Sequence, residues 1–290
     1  MGALLADASE LDFADARQTL ASLCEGLAGG RIVPYLGPEL LSRDNPEIPT
    51  TPEALAAFFQ SKVALPARAR GNAWAAAQYI ESTRHRATVT ALMAEAFATP
   101  ALPAPLHRLF AALDLPLIVD GWYDGAMRTA LEAREDWGEI QGITRAGIGE
   151  DRWFRFYDAA GEETARDAAA GWKTILYKPH GGITPAKNFL ISDADYVEVL
   201  TEIDIQTPIP DIVRDLRTDR GFLFLGCRFH DQLLRTYARQ IIKRSSGPHV
   251  AVVDPAASLT RNEVRFLVAE GITPVSAPLD EVCDMLMETA

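Results

Sequence analysis

A histidine stands where a β-prone run gives out. Thr174-Ile175-Leu176-Tyr177 is rich in β-branched and aromatic residues, and Lys178-Pro179-His180-Gly181-Gly182 follows. The two glycines let backbone approach a ligand, and a neutral imidazole can take a proton from a hydroxyl or a water. A histidine beside a turn is also a common packing residue, so His180 alone decides nothing. Three other apolar runs end on chemically useful groups. Residues 31–36 lead into Gly37-Pro38-Glu39, residues 115–119 into Asp120-Gly121-Trp122-Tyr123-Asp124, and residues 221–225 into Gly226-Cys227-Arg228-Phe229-His230-Asp231. Glycines at such ends free backbone N–H groups for phosphate. Asp120 offers a base, Trp122 a stacking platform, and Arg228 a place for an anion. Each has a plainer alternative: Glu39 and Asp231 as helix caps, Asp120 and Asp124 as acceptors for turn backbone, Trp122 as core, Arg228 as an exposed residue at a helix start.

The elements that position these groups alternate. Residues 12–28 read as an amphipathic helix with Leu20, Leu23 and Leu27 on one face. Thr51-Pro52 opens a helix, an alanine-rich helical region covers 72–98, and a helix around His107 precedes the apolar strand at 115–119. A helix through Met127 and Leu131 comes next. Two β-like pieces, 137–143 and 152–157, flank a turn with Gly147 and Gly149. After His180 come a short strand at 189–191 and a helix opening at Asp195-Tyr196, capped by Ser192 or Asp193. The last third reads as a helix at 211–218, then strand, helix, strand, helix, strand, helix. That alternation predicts one α/β domain over 1–290, a doubly wound Rossmann-like parallel sheet with helical insertions. Its parts are an N-terminal helix within 1–30, a helical insertion at 50–113 and a β-containing insertion at 137–170.

Formal net charge is −12, which argues against a general nucleic-acid binder or a binder of anionic membranes. Asp193, Asp195, Glu198, Glu202 and Asp204 read as a solvated acidic face, one able to attract a basic partner. No signal-peptide pattern and no run of 18 apolar residues occurs, so a cytoplasmic location is expected. Cys24, Cys227 and Cys283 are too few and too scattered for a four-thiolate zinc site, and are expected as buried thiols with no metal bound.

Taken in order, five pieces of this chain resemble the sirtuin-like domain family, particularly its bacterial branch lacking the zinc ribbon. They are Tyr35-Leu36-Gly37-Pro38-Glu39; Pro105-Leu106-His107; Val119-Asp120-Gly121-Trp122-Tyr123-Asp124; Lys178-Pro179-His180-Gly181 with Asp195-Tyr196; and Phe224-Leu225-Gly226-Cys227-Arg228-Phe229-His230-Asp231. The resemblance runs from residue 31 to about 245. It implies NAD or ADP-ribose lying across the strand ends, held at Gly37, Glu39, Trp122, Asp124, Gly226, Arg228 and Asp231. In the family a histidine and an asparagine serve cleavage of the nicotinamide–ribose bond.

This chain keeps the histidine as His180, but Trp122 stands at the asparagine position, and Asp120-Gly121 replace two threonines. The family's Gly-Ala-Gly-x-Ser loop has become Gly37-Pro38-Glu39-Leu40-Leu41. Pro38 has no N–H to give, and a carboxylate near a pyrophosphate costs on the order of 1–4 kcal/mol. The expectation is therefore an impaired enzyme acting as an accessory protein, one that binds a protein partner, with or without a nucleotide. Its phrases YLGPELL, DGWYDGAM, YKPHGG and FLFLGCRFHDQ resemble chains from nitrogen-fixation gene neighbourhoods, which implies nitrogenase components as partners. The family resemblance also implies an oligomer. The alternative is an NAD+ hydrolase with His180 as base and Asp120 in place of the asparagine.

Overall fold

The computed structural model describes residues 11–41, 45–143, 153–197 and 209–287. Among them run eleven strands: β1 (Ile32–Leu36), β2 (Leu117–Asp120), β3 (Trp137–Gly142), β4 (Phe154–Asp158), β5 (Glu163–Thr164), β6 (Thr174–Lys178), β7 (Gly181–Gly182), β8 (Asn188–Phe189), β9 (Gly221–Leu225), β10 (His249–Val253) and β11 (Ile272–Ser276). Nine form one sheet in the order β11-β10-β9-β1-β2-β6-β3-β4-β5, while β7 and β8 pair separately. Each neighbouring pair from β11 to β3 is parallel, and β4 and β5 add an antiparallel edge. The fold is the expected Rossmann-like α/β sheet. From β1 the chain builds outward in both directions, to β2 on one side and β9 on the other, so the strand order reverses there. Ligand crevices of open parallel sheets lie at such a point, beyond the carboxyl ends of the strands.

Every residue of β1, β2, β6 and β9 is buried, the reason these runs are apolar without alternation. One sheet face packs on Leu20, Leu23 and Leu27 of the helix Ala16–Ala28, with Phe110, Val282 and Leu286. The other packs on Val213, Ala238, Ile241, Phe266 and Leu267. A third core joins the helices Pro52–Lys62, Ala73–Arg84 and Arg86–Ala96 to Leu41, Trp122, Tyr123, Phe189 and Tyr196, residues that follow the carboxyl ends of strands. The helical insertion therefore roofs the edge of the sheet where the crevice should be.

Local departures have local causes. The alanine-rich region is two helices, because His85 takes φ 69° between them. The segment 137–170 does not stand outside the sheet: β3 lies against β6, and β4 and β5 extend the same sheet. The two-residue β5 and the 3₁₀ turn Arg166–Gly171 are too short to leave a periodic signal. Strand β8 spans Asn188–Phe189 rather than 189–191, and the next helix starts at Asp193, with Ser192 Oγ accepting the Asp195 N–H at 3.2 Å. The turn at Gly147 and Gly149 lies outside the described residues. Among the described residues no helix is long and apolar enough to cross a membrane.

Candidate functional site

The ends of β1 and β9 meet back to back. Gly37 N–H donates to the Leu225 carbonyl at 2.8 Å, Glu39 N–H to the Gly226 carbonyl at 3.1 Å, and Leu40 N–H to the Gly37 carbonyl at 3.3 Å. Pro38 has none. The N–H groups of residues 37–40 that would hold a phosphate are thus absent or already engaged. A side chain on Gly37 would fall on the Gly226 carbonyl, so both glycines serve this approach of backbone to backbone.

The next two strand ends are bolted together. Lys178 Nζ lies 2.5 Å from Asp120 Oδ2 and donates to the Asp124 carbonyl at 2.9 Å, while Asp120 Oδ1 accepts the Trp122 N–H at 3.1 Å. Burial works against the Lys178 charge, but Asp120, Asp124 and Glu139 outweigh it and raise its pKa. Beside this pair, buried Glu139 binds Arg128 at 2.7 Å and Gln141 at 2.6 Å. Asp124 Oδ1 accepts the N–H of Ala126, the first residue of the helix Ala126–Ala130, at 2.8 Å. Trp122 is 2% exposed, donates its indole N–H to the Pro49 carbonyl at 2.8 Å, and packs on Phe97 and Tyr123.

His180 and Tyr196, sixteen residues apart, come together, with Nδ1 3.1 Å from the Tyr196 hydroxyl. Both are buried, and the Tyr237 ring lies 4.6 Å from the imidazole. Burial, with the nearby Lys178 charge, pushes the His180 pKa down to about 3, so the ring is neutral at physiological pH. Its Nε2 and the Tyr237 hydroxyl are buried and have no hydrogen-bond partner among the described residues. The sequence placed Lys178 in the strand-end phrase without a role and gave no sign of Tyr237. A lysine closing an otherwise apolar strand was the available signal for the first, whereas Tyr237 reads as any helix-face aromatic. Asp195, read as part of a solvated face, is instead buried: Oδ2 lies 2.6 Å from Arg86 and accepts the Ile191 and Ser192 N–H groups. Glu198, Glu202 and Asp204 lie outside the described residues.

Beyond β9, Arg228 is clamped by both oxygens of buried Glu263, at 2.8 and 3.0 Å, and donates to the Ser258 carbonyl. Asp231 caps the helix Gln232–Ile242 through the Leu233 N–H. Burial raises the Glu39 carboxyl pKa, with Arg228 and His230 opposing. Cys227 Sγ contacts the Tyr35 and Leu225 carbonyls, and burial drives its pKa far up, which leaves a thiol and not a nucleophilic thiolate. None of the three cysteines is in a disulfide, and no group of metal-binding side chains occurs among the described residues.

His230 Nε2 sits 2.8 Å from Glu53 Oε1 and ties the roof to this loop. That bond raises the His230 pKa against the pull of burial and lowers that of Glu53. The histidine contribution is full below its unfolded pKa and is lost as pH rises through the folded one. The Glu53 contribution is lost only as pH falls through its own lowered pKa. Wild type should therefore out-melt His230→Gln on the acid side of the ordinary histidine value and lose that lead as pH rises above it. Calorimetry at both ends checks it; a lead that did not change with pH would exclude this linkage.

Residues 116–275, more than half of the 290-residue chain, match the family model of the SIR2-like domain. The chain belongs to the SIR2-like domain family. No match is found among curated proteins. The matched stretch runs from β2 to β11 and holds Asp120, Trp122, Asp124, His180, Gly226, Arg228 and Asp231; Gly37 and Glu39 precede it. SIR2-like domains are NAD-related, so the crevice can be tested for that cofactor. The cavity shared by Glu39, Gly226 and Arg228 has about 20 Å³, room for one water. With the β1 amides engaged and Trp122 in the roof's core, the described residues of this SIR2-like crevice do not fit a dinucleotide.

Proposed function

We propose that this SIR2-like chain works as an accessory protein that holds a protein partner rather than turning NAD over. The closure of β1 onto β9 carries the reading: a pyrophosphate needs the N–H groups that Leu225 and Gly226 already accept. The buried Asp120–Lys178 pair supports it, since a carboxylate answering to a lysine 2.5 Å away is not available as a base. Partner binding suits a scaffold kept intact around a closed crevice. The acidic balance of the chain favours a basic docking surface. The likeness of its strand-end phrases to chains from nitrogen-fixation neighbourhoods makes nitrogenase components the first partners to test.

One observation favours a second reading, an NAD+ hydrolase: the neutral His180 ring with an unpaired Nε2. Thermal-shift titration with NAD and with ADP-ribose, beside an assay for nicotinamide release, separates the two. A ligand at a hundred times its Kd adds about 2.7 kcal/mol of stability, so binding would be plain. We expect no shift and no release. A saturable shift with release abolished by His180→Ala would establish the hydrolase. Affinity purification under nitrogen-fixing conditions that recovered no nitrogenase component would remove those partners.

A further inference from the structure

A cavity of about 490 Å³ opens between Phe97, just past the helix Arg86–Ala96, the helix Ala126–Ala130 and the hairpin tip at 183–185. That volume suits a small organic molecule. His180, Trp122, Gly37 and Gly226 take no part in its walls, so it stands apart from the strand-end crevice. Phe97, Ile183 and Pro185 supply apolar wall, while Asp124, Arg128 and Glu132 supply its polar part. The polar part is braced from behind. Arg128 donates to Glu139 and to the Asp158 and Ala159 carbonyls while lying over the Trp137 ring, Lys178 holds the Asp124 carbonyl, and Gln141 holds the Thr184 carbonyl. Groups fixed in advance can meet a ligand without ordering cost.

Asp124 is 6% exposed, and it spends Oδ1 on the Ala126 N–H. Its Oδ2 makes no hydrogen bond to the described residues, and the side chain belongs to the cavity wall. Among the described wall residues the one cation, Arg128, already faces the Glu139 carboxylate at 2.7 Å, while Glu132 adds a second negative charge at the exposed side. Among the described residues the wall offers no further positively charged hydrogen-bond donor. We propose that it binds a small amphipathic molecule bearing a protonated amine. The ammonium sits on Asp124 Oδ2, with Glu132 near the mouth, and the apolar body lies against Phe97, Ile183 and Pro185. Charge-assisted bonds to a carboxylate are the strong kind, and an anion would meet the like charges of Asp124 and Glu132 instead. The proposal holds whether or not NAD ever enters the crevice.

The test is a ligand-observed NMR titration of the full chain with phenethylamine, its neutral N-acetyl derivative and 3-phenylpropionate, three probes of similar shape and different charge. Phenethylamine should bind about tenfold or more tighter than the other two. Asp124→Asn should weaken it by a similar factor, and Ala160→Trp, at an exposed lining position, should abolish it with melting unchanged. Should Asp124→Asn fail to fold, Glu132→Gln and Ala160→Trp decide. The proposal is overturned by no saturable binding of the amine, by a neutral or anionic probe binding as tightly, or by amine binding that survives Ala160→Trp.

Discussion

Gly226→Ala should lower the unfolding free energy by roughly 3 kcal/mol or more, the sum of a left-handed backbone and an overpacked contact. Gly226 has φ +64°, and a Cβ there would lie 2.5 Å from Leu40 N and 3.1 Å from the Glu39 carbonyl carbon. Both are backbone atoms and cannot swing aside as a side-chain tip would. Gly71 supplies the control, with φ +72° and nothing within 4 Å of its missing Cβ. Gly71→Ala should carry only the backbone term, about 1–2 kcal/mol. The difference between the two, read from urea unfolding at equal m-value, measures how tightly β1 is closed onto β9. Equal losses would mean that the strand ends part easily, and the case for a closed phosphate cradle would fail with them.

Lys178→Met should be at least as damaging, about 3–5 kcal/mol, because it leaves Asp120 charged, buried and alone. Asp120 is 4% exposed, and burial already raises its pKa against the opposing pull of Lys178. Without the lysine that rise grows. A carboxyl whose folded pKa stands above its unfolded one stabilises fully below the unfolded value and loses that contribution as pH rises. The variant should thus be worse at pH 8 than at pH 5, opposite to the usual acid loss of a paired carboxylate. Adding Asp120→Asn should recover much of the deficit, since a neutral amide is far less costly to bury than an unpaired charge. A single variant with wild-type stability, or a double variant no better than the single, would show that the pair does not hold β2 to β6.

Much of the architecture is written locally. The apolar runs of β1, β2, β6 and β9 announce strands buried on both faces, and Thr51-Pro52 announces a helix start that the Thr51 side chain does cap. Four strand-end phrases and Pro105-Leu106-His107, taken in order, were enough to point to the family. The site was less legible. Trp122 has the same letters around it whether its indole faces a base or Pro49, and Asp195 looks like a surface acid until Arg86, more than a hundred residues away, is folded against it. Asp124 drew attention as a strand-end carboxylate, but the cavity it lines is built by segments from five other parts of the chain.

The sequence by itself determined where the runs of β1, β2, β6 and β9 give out to within a residue, that a histidine would stand beside two glycines, and that Pro38 could offer no N–H. These follow from side-chain period and backbone chemistry within a few residues. Only the tertiary structure decided that the remaining amides at Gly37 and Glu39 are taken, that Asp120 answers to Lys178, and that the roof of helices claims Trp122 for its core. An N–H is open to a ligand only if no neighbouring strand accepts it, and which strand lies alongside is fixed by contacts nearly two hundred residues apart, beyond the reach of any local pattern.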